Sequence, residues 1–107
     1  MWLFCKSGFF SAVRHAENPK LIHVRARFEG DLERLCEVNG LKEITVEHTP
    51  GNDYPYRADF LKPVWAAIVC REANEIDYTN FKNAVHDGTS RDQAYMAVWA
   101  ALRRISE

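Results

Sequence analysis

Residues 21–28 carry the cleanest pattern in the chain: Leu21, His23, Arg25 and Arg27 alternate with Ile22, Val24, Ala26 and Phe28. Alternation with a period of two predicts a half-buried strand, apolar on one face and mainly basic on the other. Residues 2–14 before it are rich in aromatic and β-favouring types, interrupted at Ser7-Gly8. They predict one strand that bends at Gly8 and continues through Phe9-Phe10-Ser11-Ala12-Val13-Arg14. Glu17-Asn18-Pro19-Lys20 predicts the turn between the two.

Beyond Gly30-Asp31 the period lengthens. Leu32, Leu35, Cys36 and Val38 fit one face of a short helix, which Asn39-Gly40 stops. Alternation returns at Glu43 to His48, with Ile44 and Val46 inward, and the turn formers Thr49-Pro50-Gly51-Asn52-Asp53 follow. Tyr54 to Phe60 predicts a fourth strand, with Tyr54, Tyr56, Ala58 and Phe60 on one face and Arg57 and Asp59 on the other.

The rest of the chain reads as helical. Pro63 suits a first helical turn, and Val64, Trp65, Ile68, Val69 and Ile76 mark an apolar stripe. Asp77 predicts the cap of a short helix with Tyr78, Phe81 and Val85 inward, ended by His86-Asp87-Gly88. Ser90-Arg91-Asp92-Gln93 matches a capping box, and Tyr95, Val98, Trp99, Leu102 and Ile105 line one side of the helix after it. Trp65 and Trp99 are both expected in the core. The order predicts an α+β two-layer sandwich over residues 1–107: a four-stranded, mainly antiparallel sheet with helices on one face and a helical C-terminal half.

Composition narrows the function classes. The chain has 107 residues, 14 basic and 15 acidic, for a formal charge of −1. That length suits a single core, and the absence of a basic excess argues against general nucleic-acid binding. The three cysteines, Cys5, Cys36 and Cys70, are widely spaced and form neither a disulfide framework nor a metal knuckle, so reduced thiols in a cytoplasmic protein are expected. Trp2-Leu3-Phe4-Cys5 is too short an apolar run for a signal peptide or anchor, and no membrane association is expected.

Candidate chemistry gathers on the basic strand face. Arg25 and Arg27 sit two residues apart and project one way, and Arg57 joins them if the strands lie close; Arg14 and Phe10 are expected on the same face. Tyr56 or Tyr54 could present a hydroxyl beside Arg57 to grip an anion. Alternatively these arginines pair with Glu43, Glu47, Asp53 or Asp59 on a solvated face. Catalytic signals are weak: no recognisable Cys–His spacing, no GxSxG around Ser11, no HxxxH or HxH, and no glycine-rich phosphate loop. No metal or other cofactor is expected.

Trp2-Leu3-Phe4, Gly8-Phe9-Phe10-Ser11, Asp53-Tyr54-Pro55-Tyr56-Arg57 and Asp77-Tyr78-Thr79-Asn80-Phe81-Lys82 resemble a group of small bacterial proteins of unknown function with W-L-F, G-F-F-S, D-Y-x-Y-R and D-Y-x-N-F-K motifs. The resemblance spans most of the chain and implies no activity. The expectation from the residues is a non-enzymatic binding module that recognises an anionic small molecule or acidic protein partner through Arg25, Arg27, Arg57, Tyr56 and Arg14. Two alternatives stay open: a protein-interaction factor, such as a small inhibitor or accessory protein of a phage or mobile element, and an enzyme of unknown reaction type.

Overall fold

The computed structural model describes residues 1–106 and divides the chain into two compact units, Met1–Ile76 and a second that begins at Asp77. The first is an α+β unit built on an antiparallel sheet. In chain order it contains β1 (Trp2–Cys5), β2 (Gly8–Arg14), β3 (Leu21–Ala26), α1 (Asp31–Val38), β4 (Glu47–His48), β5 (Tyr56–Leu61) and α2 (Lys62–Asn74). The sheet order is β1-β2-β3-β5-β4, so the sheet has five strands rather than four.

The extra strand comes from the Ser7-Gly8 interruption. It is a tight reversal rather than a bend: Cys5 pairs with Gly8, Phe4 with Phe9 and Trp2 with Ser11. Gly8 has φ +148, and a Cβ there would collide with Oδ2 of Asp31, so both backbone and space demand glycine. Asp31 opens α1 and is fully buried; its carboxylate accepts from the Phe9 amide at 3.4 Å and from the Arg34 guanidinium at 2.5 Å. Helix α1 is thereby tied to the hairpin at its acidic first turn, where the helix dipole favours negative charge.

Register sorts the side chains. Phe10, Ala26 and Tyr56 share one cross-strand row, and Ala12, Val24 and Ala58 the next. That face meets Leu32, Leu35 and Cys36 of α1 and Trp65 and Ile68 of α2 in a single apolar cluster. Ile44 and Val46 pack against the cluster as expected, although the strand they precede shrinks to Glu47–His48. Phe10 is fully buried, its ring 6.4 Å from that of Trp65, so it does not belong to the basic face. Pro63 stands in the first turn of α2, and the helix stops at Asn74, which leaves Ile76 outside it and exposed.

The second unit holds α3 (Phe81–Ala84), α4 (Ser90–Arg103) and a 3-10 turn, Arg104–Ser106. Both cap assignments shift. Asn80, not Asp77, caps α3 by accepting from the Asn83 amide, and Thr89, not Ser90, caps α4 by accepting from the Asp92 amide. Phe81 stacks with Tyr95 at 6.0 Å, as the inward stripe predicts. Trp99 departs from expectation: it is 44% exposed, with the Lys82 ammonium 4.3 Å and the Arg103 guanidinium 5.6 Å from its ring. Cation–π contacts of this kind hold an indole at the surface. No helix among the described residues is long and apolar enough to cross a membrane.

The three thiols are free; Cys5 and Cys36 are buried and Cys70 is exposed. Burial, and then the charge of Glu72, push the Cys5 thiol from 9.0 up to about 11. A thiol whose folded pKa lies above its unfolded value keeps its full contribution below the unfolded value and loses it as pH rises through the folded one. Stability should therefore fall between pH 9 and 11, and Cys5→Ala should flatten that fall in urea titrations across the range. In native protein, a thiol reagent should modify Cys70 first.

Candidate functional site

The second face of the sheet places its residues in rows of its own. Trp2 pairs with Ser11, Ser11 with Arg25, Arg25 with Arg57, and Arg57 with Glu47, so one transverse row crosses all five strands. Facing residues on neighbouring strands have Cβ atoms roughly 5 Å apart, and like charges placed so are destabilising. Arg25 and Arg57 occupy that arrangement.

What holds them is the segment before β5. Pro55 cannot extend the ladder, and its carbonyl instead accepts from the Thr49 amide at 2.7 Å, folding the loop back on itself. Tyr54 consequently lies outside the strand, which starts at Tyr56. Its ring is 5% exposed and packs on the arginine face: 4.6 Å from the guanidinium carbon of Arg25, 4.2 Å from that of Arg27, and 6.4 Å from the Phe9 ring. The negative face of the ring offsets part of the clustered positive charge.

Each arginine makes one further anchor. The Arg25 Nη2 donates to the Ser11 hydroxyl at 2.9 Å, the Arg27 Nη1 to the Asp53 carbonyl at 2.8 Å, and the Arg57 Nε to the Tyr54 carbonyl at 3.1 Å. Asp53 itself turns its carboxylate to the Tyr54 amide at 2.9 Å. None of these acceptors is a charged carboxylate, and no ion pair reaches Arg25, Arg27 or Arg57 among the described residues. Most of the guanidinium N–H groups stay unused, and the buried Nε of Arg25 has no partner.

Of the acids expected to neutralise the arginines, Asp53 and Asp59 are engaged elsewhere, and Glu47 stands opposite Arg57 in the row without an ion pair to it. Asp59 binds His23, Oδ1 to Nδ1 at 2.7 Å, and faces Nε2 of His15 at 3.8 Å. His15 Nδ1 accepts from the Glu17 and Asn18 amides at 3.1 and 3.0 Å, so in the neutral ring the hydrogen sits on Nε2, toward Asp59. This array adjoins the arginine row, because Val13, His23 and Asp59 form the next row on the same face. Wide sequence spacing hides it; only the antiparallel register of β3 and β5 brings His23 and Asp59 together.

Of the candidates named from sequence, Arg25, Arg27 and Arg57 do converge. Arg14 and Tyr56 do not. Arg14 shares strand parity with Phe10 and Ala12 and pairs with Ile22, which places it on the core face at its exposed end. Tyr56 shares the core face with Ala26, and its ring stacks on His48 at 4.8 Å. The tyrosine that meets the arginines is Tyr54, and the Pro55 that follows it is the sequence signal that the alternation should restart there. No group of three or more His, Cys, Asp and Glu placed to hold a metal occurs among the described residues. Comparison with protein-family models, curated proteins and solved structures returns no match.

Proposed function

We propose that the face formed by Arg25, Arg27, Arg57 and Tyr54 binds an anion, and that the protein works as a small binding module rather than as a catalyst. One observation carries the reading: the guanidinium groups of Arg25 and Arg27 pack on the Tyr54 ring and that of Arg57 on the Tyr54 carbonyl, with carbonyl and hydroxyl acceptors but no carboxylate. Natural sequences avoid repulsive local arrangements unless something compensates them, and a bound anion compensates this one. Planar guanidinium forks stacked on a ring keep their N–H edges available for phosphate, sulfate or carboxylate oxygens.

Binding to the folded state alone raises stability by mass action. Phosphate or sulfate should raise the melting temperature above that in chloride at equal ionic strength, and Arg25→Ala or Arg57→Ala should remove the increment. Equal melting temperatures in all three salts would sink the proposal. The His23–Asp59 pair supports a second reading, acid–base chemistry on the bound anion, because Asp59 fixes Nδ1 and leaves Nε2 for a proton. On the binding-module reading His23→Gln leaves the anion response in place and no turnover depends on it.

A further inference from the structure

The arginine row does not end in another charge on the β1 side; it ends in Trp2. That side chain is 69% exposed, and it stands on the same face as Ser11 and Arg25, one strand beyond the hydroxyl to which Arg25 reaches. Its ring rests edge-on against Phe9 at 6.1 Å. Phe9 is in turn stacked on Phe4 at 4.4 Å and tilted against Tyr54 at 6.4 Å. A chain of packed rings thus runs from the clamped tyrosine under the arginines to an indole presented to solvent.

Resting on the anion-binding reading above, we infer that the ligand is a nucleotide unit: a phosphate taken by Arg25 and Arg57, with its base stacked on Trp2. Neighbouring strands are about 4.8 Å apart, so Trp2 on β1 and Arg25 on β3 are separated by roughly the reach from a nucleotide's phosphate to its base. Open antiparallel sheets bind unpaired nucleotides in this manner, aromatic rings serving the bases and cations the backbone.

The same face limits the size of the ligand. Glu47 closes the far end of the row and Asp59 occupies the next row, so the positive patch is bounded by acids. The net charge of −1 gives no wider field for a long polyanion. A mononucleotide or a short single-stranded segment fits, and a duplex does not, because paired bases cannot leave the stack to meet Trp2.

The test is a fluorescence and thermal-shift titration of the Trp99→Phe protein, which removes the other exposed indole. The probes are inorganic phosphate, a nucleoside, a mononucleotide, a single-stranded tetranucleotide and a short duplex. Stacking of one base should make the mononucleotide or tetranucleotide about ten-fold or more tighter than phosphate. Binding should quench Trp2, and Trp2→Ala should bring the affinity back to that of phosphate, while Trp2→Phe retains part of the gain. A tetranucleotide bound much more tightly than a mononucleotide identifies single strands as the source. Phosphate protection with no gain from the base, or a gain that survives Trp2→Ala, overturns the nucleotide assignment and leaves the anion site standing. No protection by any probe overturns both.

Discussion

Trp65→Ala should destabilise the first unit by about 3–5 kcal/mol, the range for removing a large buried aromatic, while Trp99→Ala should cost about 1 kcal/mol or less. Trp65 is 6% exposed, with Phe10 and Phe60 at ring distances of 6.4 and 5.9 Å, so its removal opens a void among rigid neighbours from two strands. Truncating Trp99 leaves no enclosed cavity and removes only surface contacts with Lys82 and Arg103. Urea unfolding followed by circular dichroism measures both. Comparable losses for the two variants would refute the burial assignments.

The second large effect lies at the β1–β2 turn. Gly8→Ala should destabilise by about 1–3 kcal/mol from the left-handed backbone alone, and by more because the new methyl group meets the Asp31 carboxylate. Asp31→Ala by itself should cost about 1–3 kcal/mol, since it leaves the buried Phe9 amide without this acceptor. The two losses should not add. With Asp31 shortened, the carboxylate that the methyl group would strike is gone and only the residue-31 Cβ at 3.2 Å stays near, so Gly8→Ala then costs less than it does beside Asp31. A double-mutant cycle with a coupling of at least about 0.5 kcal/mol is the expected outcome; strict additivity would mean that the approach of Asp31 to Gly8 does not constrain the turn.

The elements that could be read from sequence are those whose signal is local and periodic. The alternation of Leu21–Ala26, the helix of Leu32 and Leu35, and the Pro63 start all appear where the pattern puts them. The misreadings share a cause: one residue changed which way a side chain points. Gly8 hid a chain reversal inside a run of strand formers, because Lys6-Ser7 carries none of the Asn-Gly or Asp-Gly chemistry that marks a tight hairpin. Pro55 shifted Tyr54 off the strand and onto the opposite face, exchanging the roles expected of Tyr54 and Tyr56. Parity placed Arg14 with the core residues. Trp99 fits an apolar stripe by spacing, and only the cations folded beside it show why it can stay at the surface.

Three of the motifs singled out at the start are far apart along the chain yet meet in one cluster of rings and guanidinium groups. Phe9 touches Trp2, Phe4 and Tyr54; Ser11 receives Arg25; the carbonyls of Asp53 and Tyr54 receive Arg27 and Arg57.

The strand order has a kinetic consequence. β1, β2 and β3 join through successive antiparallel connections, whereas β5 reaches β3 only after the chain has passed through α1 and β4. Closing that longer loop is the entropically expensive step, and Tyr54 and Arg57 arrive with it. The site exists only once β5 has docked, so the anion proposed for it should slow unfolding more than it speeds folding. On the proposed reading, occupancy of the site would set the lifetime of the folded state through that one strand.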